Sequence, residues 1–385
     1  MTDVVMLDCA SYDQELLAAR LDDGMAQLGG WERFIRPGMK VLLKVNLIGP
    51  KPPESAAVTH REFVRAIARR LKALRCEVWI GDSAGGAIGG LAPTQRGFEV
   101  AGYARVAAEE GAVLKNFERE GTVAIAPPDA PDRMYYLAKP LFDADLVINV
   151  PKLKTHSAAT YTGAWKNLFG CVPGLKKAEY HRIAPSTHEF GRIIADINAC
   201  VRPALSIMDG IIAMQGKGPT AGTPYPAGKI LFSADPLALD AIAASMLGIR
   251  LEELSIFDSA RERDLGEWKP ERIALLGDHR TPPRLSGFDV PKAISVGKVS
   301  SRLFGSMIDM LKKRPLIDLG ACRNCGTCME SCPVAAIDRA SKAIDYEKCI
   351  ECLCCHELCM YGAVKLVRSR RAKAVTAARM KMSRA

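Results

Sequence analysis

Thirteen cysteines occur in this 385-residue chain, and eight of them form two matched runs near its end. The runs are Cys322-x2-Cys325-x2-Cys328-x3-Cys332-Pro333 and Cys349-x2-Cys352-x2-Cys355-x3-Cys359. Three thiolates at this spacing wrap one face of a cubane iron–sulfur core, and the fourth ligand comes from the other run. The pattern predicts two [4Fe-4S] clusters. Cys322, Cys325, Cys328 and Cys359 would hold the first, and Cys349, Cys352, Cys355 and Cys332 the second. Zinc is satisfied by four ligands and needs no eight-cysteine double repeat. Disulfides suit short secreted domains, whereas this chain is long and reads as lacking a signal peptide. Two departures from the repeat stand out. Cys354 lies beside Cys355 as an alternative ligand or a free thiol, and Met360 stands where the first run has Pro333. The absent proline relaxes a turn without removing a ligand.

A second constellation follows an apolar strand, Leu146 to Val150: Asn149-Val150-Pro151-Lys152-Leu153-Lys154-Thr155-His156, then Thr160, Thr162, Gly163, Lys166, Asn167 and Gly170. In a parallel sheet the ligand crevice lies at such strand ends. Lys152, Lys154 and Lys166 make a positive pocket suited to a carboxylate or a phosphate, and His156 is the first choice of proton donor near neutral pH. Solvated lysines on a surface loop are the competing reading. Lys44 and Asn46 leave another strand on one side, where a lysine needs an anion or water to be tolerated. The turn Gly81-Asp82-Ser83-Ala84-Gly85-Gly86 offers backbone amides to an anion, or is a tight turn in which Asp82 caps a helix. It has neither the dinucleotide nor the Walker order of glycines.

The elements that must position these groups alternate. Strands are predicted over Lys40 to Ile48, Glu77 to Gly81, Leu146 to Val150, Leu205 to Met208 (stopping at Asp209-Gly210) and Ile230 to Ser233. Helices are predicted over Thr59 to Leu74, Val100 to Glu110, Glu189 to Cys200 and Leu237 to Leu247, the last with Asp235 as N-cap and Pro236 as its first residue. Continuous apolar strands predict an α/β domain built on a largely parallel sheet. The expected divisions are an α/β domain over 1–255, a connecting segment over 256–317, a cluster-bearing domain over 318–367 and a basic tail over 368–385. Within the connector, Leu303, Phe304, Met307, Ile308 and Leu311 make an amphipathic stretch suited to docking the cluster domain.

Hydrophobic residues make up 48% of the chain, ample for a core, and the formal net charge is +10. After Cys359 the basic residues Lys365, Arg368, Arg370, Arg371, Lys373, Arg379, Lys381 and Arg384 meet no acidic residue. Such a tail suits an acidic electron donor or acceptor protein, or peripheral contact with an anionic membrane. No zinc finger, helix-turn-helix or aromatic–basic interleaving supports nucleic-acid readout. No apolar run reaches the length of a membrane span, and clusters of this kind favour a reducing, cytoplasmic setting.

Lys44-x-Asn46, Pro151-Lys152-Leu153-Lys154-Thr155-His156, Thr162-Gly163-Ala164-x-Lys166-Asn167-x-x-Gly170, Ser206-x-Met208-Asp209-Gly210, Gly216-x-Gly218-Pro219 and Ser233-x-Asp235-Pro236-x-Ala238-x-Asp240 together resemble the domain of unknown function 362 over residues 38 to 250. Members of that family often carry a C-terminal double-cluster, bacterial-type ferredoxin domain, as the cysteine runs imply here. The resemblance selects Lys44, Asn46, Lys154, His156, Lys166, Asn167, Asp209 and Asp240 as site residues. It leaves the chemistry open. His60 begins a helix, and His181 and His188 lie in a loop-rich stretch, Lys176 to Glu189, able to cover the site. The expected function is an iron–sulfur oxidoreductase passing single electrons to an acidic small molecule or to a bound flavin in the large domain. His156, Lys154, Lys44 and Asp209 would act in catalysis, and Asn46, Asp82, Ser83, Lys152, Lys166 and Asn167 in binding. The alternative is an electron-transfer subunit serving a separate enzyme.

Overall fold

The computed structural model describes the chain except residues 87–91, 158, 175, 185, 292–312 and 383–385. The main sheet takes β1 (Thr2–Asp8), β2 (Lys40–Lys44), β3 (Glu77–Asp82), β4 (Val113–Asn116), β7 (Leu146–Asn149), β8 (Lys152–His156), β9 (Thr160–Thr162), β10 (Leu205–Gln215), β11 (Thr223–Ser233) and β12 (Ile273–Gly277). A separate hairpin joins β5 (Thr122–Ile125) to β6 (Tyr135–Ala138). The order is β12-β1-β11-β10-β7-β2-β3-β4, with β8 flanking β10 and carrying β9. From β4 through β3, β2 and β7 to β10 every pairing is parallel. Within this sheet only β11, antiparallel to β10 and to β1, and β9, antiparallel to β8, depart from that direction.

Alternation along the strands fills two cores. Val41, Leu43, Val78 and Ile80 face one side, packed with Leu17, Leu21, Phe63, Ile67 and Phe98 from three helices. Leu42 and Trp79 face the other, with Phe190, Ile194, Leu237 and Leu239. Both sides of the parallel run are therefore covered, which is why its strands read as continuous apolar runs. Helix Pro236–Met246 starts as its sequence indicates, with Asp235 accepting from the amides of Leu237 and Ala238.

Three sequence expectations are corrected by the structure. The strand expected to stop at Asp209-Gly210 continues to Gln215, because Asp209 is buried against a lysine instead of turning out to solvent. Lys152 to His156, expected as a polar site segment beyond the end of its strand with a solvated loop as the competing reading, is strand β8, pairing with β10 after β7 has ended. The segment expected only to connect contributes β12 beside β1, so the α/β body runs past residue 255. The amphipathic stretch from Leu303 to Leu311 lies outside the described residues.

The C-terminal module is bracketed by an antiparallel pair, β13 (Lys313–Ile317) and β14 (Val364–Arg368). The basic tail forms helix Ser369–Met382, held back on that pair where Arg379 donates to the Ile317 carbonyl at 2.9 Å. Its two halves repeat in detail. Asn324 and Glu351, each two residues after the first cysteine of its run, have φ of 53° and 56°. The amides of Ala336 and Ala363, each four residues past the last cysteine, donate to Cys332 Sγ and Cys359 Sγ at 3.3 and 3.1 Å.

Candidate active site between the sheet and the cysteine module

β2 leads outward to β3 and β4, and the chain then returns to place β7 on the other side of β2. At such a switch point the loops leaving neighbouring strands diverge and open a crevice beyond their carboxyl ends. A cavity of about 100 Å³ lies there, walled by Lys44, Asn46, Asp82, Ser83, Lys154, Lys166 and Asn167. Helix Lys176–Ile183 adds Lys177 and His181, and the cysteine module adds Ser331, Cys354, Glu357 and Leu358. The pocket is therefore completed by the second domain.

Its floor is a buried ion pair. Lys44 Nζ stands 2.8 Å from Asp82 Oδ1 and also donates to the carbonyls of Val45 and Asn167 at 2.8 and 3.1 Å. Asp82 accepts from the amides of Leu47 and Ser83, both at 2.7 Å, so one carboxylate joins the exits of β2 and β3. Burial still drives its pKa upward against the pull of Lys44. A Cβ at Gly170 would sit 2.3 Å from Asp82 Oδ1 and 2.6 Å from Lys44 Nζ, so only glycine lets the chain cross this pair.

An amide relay sets Lys154. Asn167 Nδ2 donates to Asn149 Oδ1 at 2.8 Å, Asn46 Nδ2 to Asn167 Oδ1 at 2.9 Å, and Lys154 Nζ to Asn46 Oδ1 at 2.6 Å. The Ala57 carbonyl takes a second Lys154 bond at 2.7 Å. Burial, then Lys166 and Lys152, push Lys154 well below the ordinary lysine range. Lys177 donates to the Ser83 hydroxyl and to the carbonyls of Ser83 and Ala84, fixing helix Lys176–Ile183 to the turn after β3. Burial lowers Lys177 to about 8. Asp240 accepts from Tyr161 Oη at 2.8 Å and from the amides of Ala164 and Trp165 at 2.7 and 2.9 Å. It thus caps the short helix that presents Lys166 and Asn167, and burial raises it to about 7.

Three expected site residues lie elsewhere. Lys152 and Asp209 pair at 2.8 Å, both fully buried, with the Tyr12 hydroxyl bonded to each. Asp209 also accepts from the His60 amide, and these four groups satisfy one another inside the fold without lining the cavity. The expected convergence of Lys44, Lys154 and Asp209 is therefore not found. His156 sits behind the pocket wall, its Nδ1 accepting from the Ala159 amide at 3.0 Å and its Nε2 3.3 Å from Glu357 Oε1. Burial lowers His156. Glu357 is held below the usual carboxylate range, burial being outweighed by His156, Lys166 and His181. His188 pairs with Asp258 on the surface.

Sequence reasoning missed Lys177, Phe169, Ser331, Glu357 and Leu358 as wall residues. Phe169 lies in the turn just after Asn167 and was passed over as apolar; the others come from a helix and a module remote from the strand ends, and only the extra cysteine at 354 carried a signal. The module is fastened at several points. Thr220 Oγ1 donates to the Glu357 carbonyl at 2.7 Å, Lys51 Nζ to the Met360 carbonyl at 2.6 Å, and His356 Nε2 lies 3.1 Å from Ser157 Oγ.

The cysteines suit clusters. All thirteen are free, and Cys322, Cys325, Cys328 and Cys359 line one small cavity of about 20 Å³. Burial first, then Cys359, Cys325 and Cys322, raise the Cys328 thiol to about 11. Cys355 is raised well above its ordinary value by burial and by Cys352, Cys349, Cys328 and Cys332. Thiols crowded in this way ionise together only when a cationic iron core shares the site.

Fold and site define an α/β iron–sulfur protein whose C-terminal module matches the family described as 4Fe-4S dicluster domain over residues 314–360. The chain belongs to the family described as Domain of unknown function (DUF362), matched over residues 41–245. A thylakoid-associated protein of Synechocystis sp. is 36% identical over 265 residues, covering 68% of this chain and 79% of that protein. Among solved structures, the lactate racemase apoprotein from Thermoanaerobacterium thermosaccharolyticum aligns with a TM-score of 0.40 at 12% identity, over 64% of this chain and 57% of that one. Among the described residues no helix is long and apolar enough to cross a membrane.

Proposed function

We propose that this chain is an iron–sulfur oxidoreductase that uses two [4Fe-4S] clusters to reduce an acidic small molecule in the crevice. One observation carries the reading: the cavity is walled by Ser331 and Cys354, the immediate neighbours of Cys332 and Cys355 in the second ligand set. Bound there, the clusters supply single electrons. The chain's own residues enclose the substrate, attract its negative charge and supply protons. Four lysines face the cavity against two carboxylates, an excess that favours an anion. Lys154, depressed by burial and held by Asn46, takes the proton-donor role expected of His156, which stands behind Glu357. A cavity of about 100 Å³ suits a small molecule better than a flavin.

An external redox protein is the natural electron source, and Leu319 and Tyr361, 51% and 49% exposed near the first ligand set, suit a docking contact for it. The same exposure supports the second reading, a carrier serving another enzyme. A cytoplasmic chain touching an anionic membrane through Arg370, Arg371 and Lys373 would suit the relative's thylakoid association. The test is anaerobic. Chemically reduced holoprotein mixed with small oxo and unsaturated acids should be reoxidised by some of them, and Lys154→Ala should slow that step by about a hundredfold. Reoxidation by none, or equal rates in both proteins, would favour the carrier.

A further inference from the structure

We propose that Lys166 and His181 form a carboxylate subsite for a short monocarboxylic acid, whose double bond, conjugated with the carboxylate, lies toward the Cys354 wall. This rests on the reductive reading of the crevice and specifies what the crevice holds.

The other lysines of the pocket are already engaged. Lys44 has Asp82 and two carbonyls, Lys177 has Ser83 and Ala84, and Lys154 has Asn46 and Ala57. Lys166 has no hydrogen bond or salt bridge among the described residues, and its closest aromatic contact is the Phe190 ring at 6.0 Å. An ammonium facing a buried cavity with no hydrogen-bond acceptor, offset only by the nearby Glu357 charge, is costly until an anion joins it. His181 likewise makes no hydrogen bond among the described residues. Its ring stacks on Phe190 at 4.3 Å and meets Phe169 edge-on at 5.5 Å. Phe190 therefore sets both groups. Burial lowers His181 to about 4, so the ring is neutral and offers an N–H beside the Lys166 charge.

Charge and volume narrow the ligand. Glu357 shares the pocket and repels a second negative charge, which disfavours phosphates and dicarboxylates. The space, about 100 Å³, is below the roughly 150 Å³ that holds benzene, so an acid of about five or six non-hydrogen atoms fits with part of it toward the opening. A 2-oxo or a 2-enoic acid of that size meets both limits. Conjugation with the carboxylate makes its double bond a ready electron acceptor. The reduction adds two electrons and two protons. The π bond is lost, and two C–H bonds form in the enoic acid, or one C–H and one O–H in the oxo acid. A reduced one-electron donor protein is oxidised twice, while Lys154 and solvent give the protons.

Binding is measured apart from turnover, by anaerobic calorimetry on oxidised holoprotein with acrylate, pyruvate, acrylamide and inorganic phosphate. Acrylate or pyruvate should bind, with acrylamide at least about tenfold weaker. Lys166→Met should weaken the acids by about tenfold or more and leave acrylamide unchanged, and Lys166→Arg should restore acid binding to within a few-fold. His181→Phe, which keeps the stack, should weaken the acids several-fold. The subsite is overturned if Lys166→Met binds the acids as wild type does, if amide matches acid, if phosphate displaces both acids, or if neither acid binds. Acids that bind as stated but never reoxidise dithionite-reduced protein would overturn the reductive reading and leave the subsite standing. Reoxidation by a neutral enone without acid binding would do the reverse.

Discussion

Lys44→Met leaves the Asp82 carboxylate buried without its counter-charge. The two groups stand 2.8 Å apart with side-chain exposures of 0% and 2%. Without Lys44, Asp82 keeps the amides of Leu47 and Ser83. Removing one partner of a buried pair costs about 3–5 kcal/mol, a large share of the roughly 5–15 kcal/mol that holds a domain together. Asp82→Leu instead leaves Lys44 with the carbonyls of Val45 and Asn167 but strands the buried amides of Leu47 and Ser83, so its cost should be of similar size. The double replacement Lys44→Met with Asp82→Leu strands those amides as well but buries no charge, so it should cost clearly less than the two single replacements added together. The sign of the pH dependence follows. Burial already raises Asp82 despite Lys44, and removing Lys44 raises it further. A carboxyl whose folded pKa exceeds its ordinary 3.8 contributes stability that is full below 3.8 and lost as pH rises through the folded value. The Lys44→Met deficit should therefore widen as pH is raised from mildly acidic toward neutral. Anaerobic urea unfolding of holoprotein, followed by tryptophan fluorescence at several pH values, measures it. A deficit below about 1 kcal/mol, one that shrinks with rising pH, or a double variant costing as much as the two single ones added together would refute the reasoning.

Asp240→Ala strands the buried amides of Ala164 and Trp165, at about 1–3 kcal/mol each. Because Asp240 is raised to about 7, wild type should lose its contribution between 3.8 and about 7 as pH rises, and thermal scans of the variant should lack that slope. Replacing Lys51, Ser157 and Thr220 together by alanine removes three fastenings of the cysteine module, about 1 kcal/mol each, so hydrogen exchange over 354–362 should speed by about a hundredfold. Unchanged exchange there would mean that other contacts hold the module. Cys355→Ser should lower the iron content by about one cluster while Cys354→Ser keeps it, as metal analysis would show; the reverse would exchange their roles.

The sheet was legible because its strands are buried on both faces, so Lys40–Lys44, Glu77–Asp82 and Leu146–Asn149 stand out as apolar runs. Lys44 and Asn46 could be placed at the crevice because alternation fixes their side and the strand exit fixes their height. Lys152 and Asp209 could not be separated from them. A charge at a strand end looks the same whether it meets a ligand or another side chain, and here the two satisfy each other across adjacent strands. That mutual satisfaction also carried β10 past the expected stop. His156 misled through chemistry: its type suits proton transfer, but β8 aims it at Glu357, a residue 201 positions away that no local pattern connects to it. The cysteine runs were legible as an iron–sulfur domain, since their information is in spacing alone. Where the module sits depends on side chains such as Lys51 and Thr220, which carry no local mark.

The pocket wall supplied by Cys354–Glu357 ties enclosure to cofactor loading. During synthesis the α/β body emerges first, with its crevice open to water along one side. The module that closes it is built around thiols that lose their protons together only when iron is present, so its folding should wait on cluster insertion. A chain that has not received its clusters is then also a chain without a sheltered site. On the reductive reading, a substrate would meet the completed pocket only in molecules already equipped to act on it. Delivery of iron would thereby be the last step in completing a pocket whose other walls lie more than a hundred residues upstream of the cysteines.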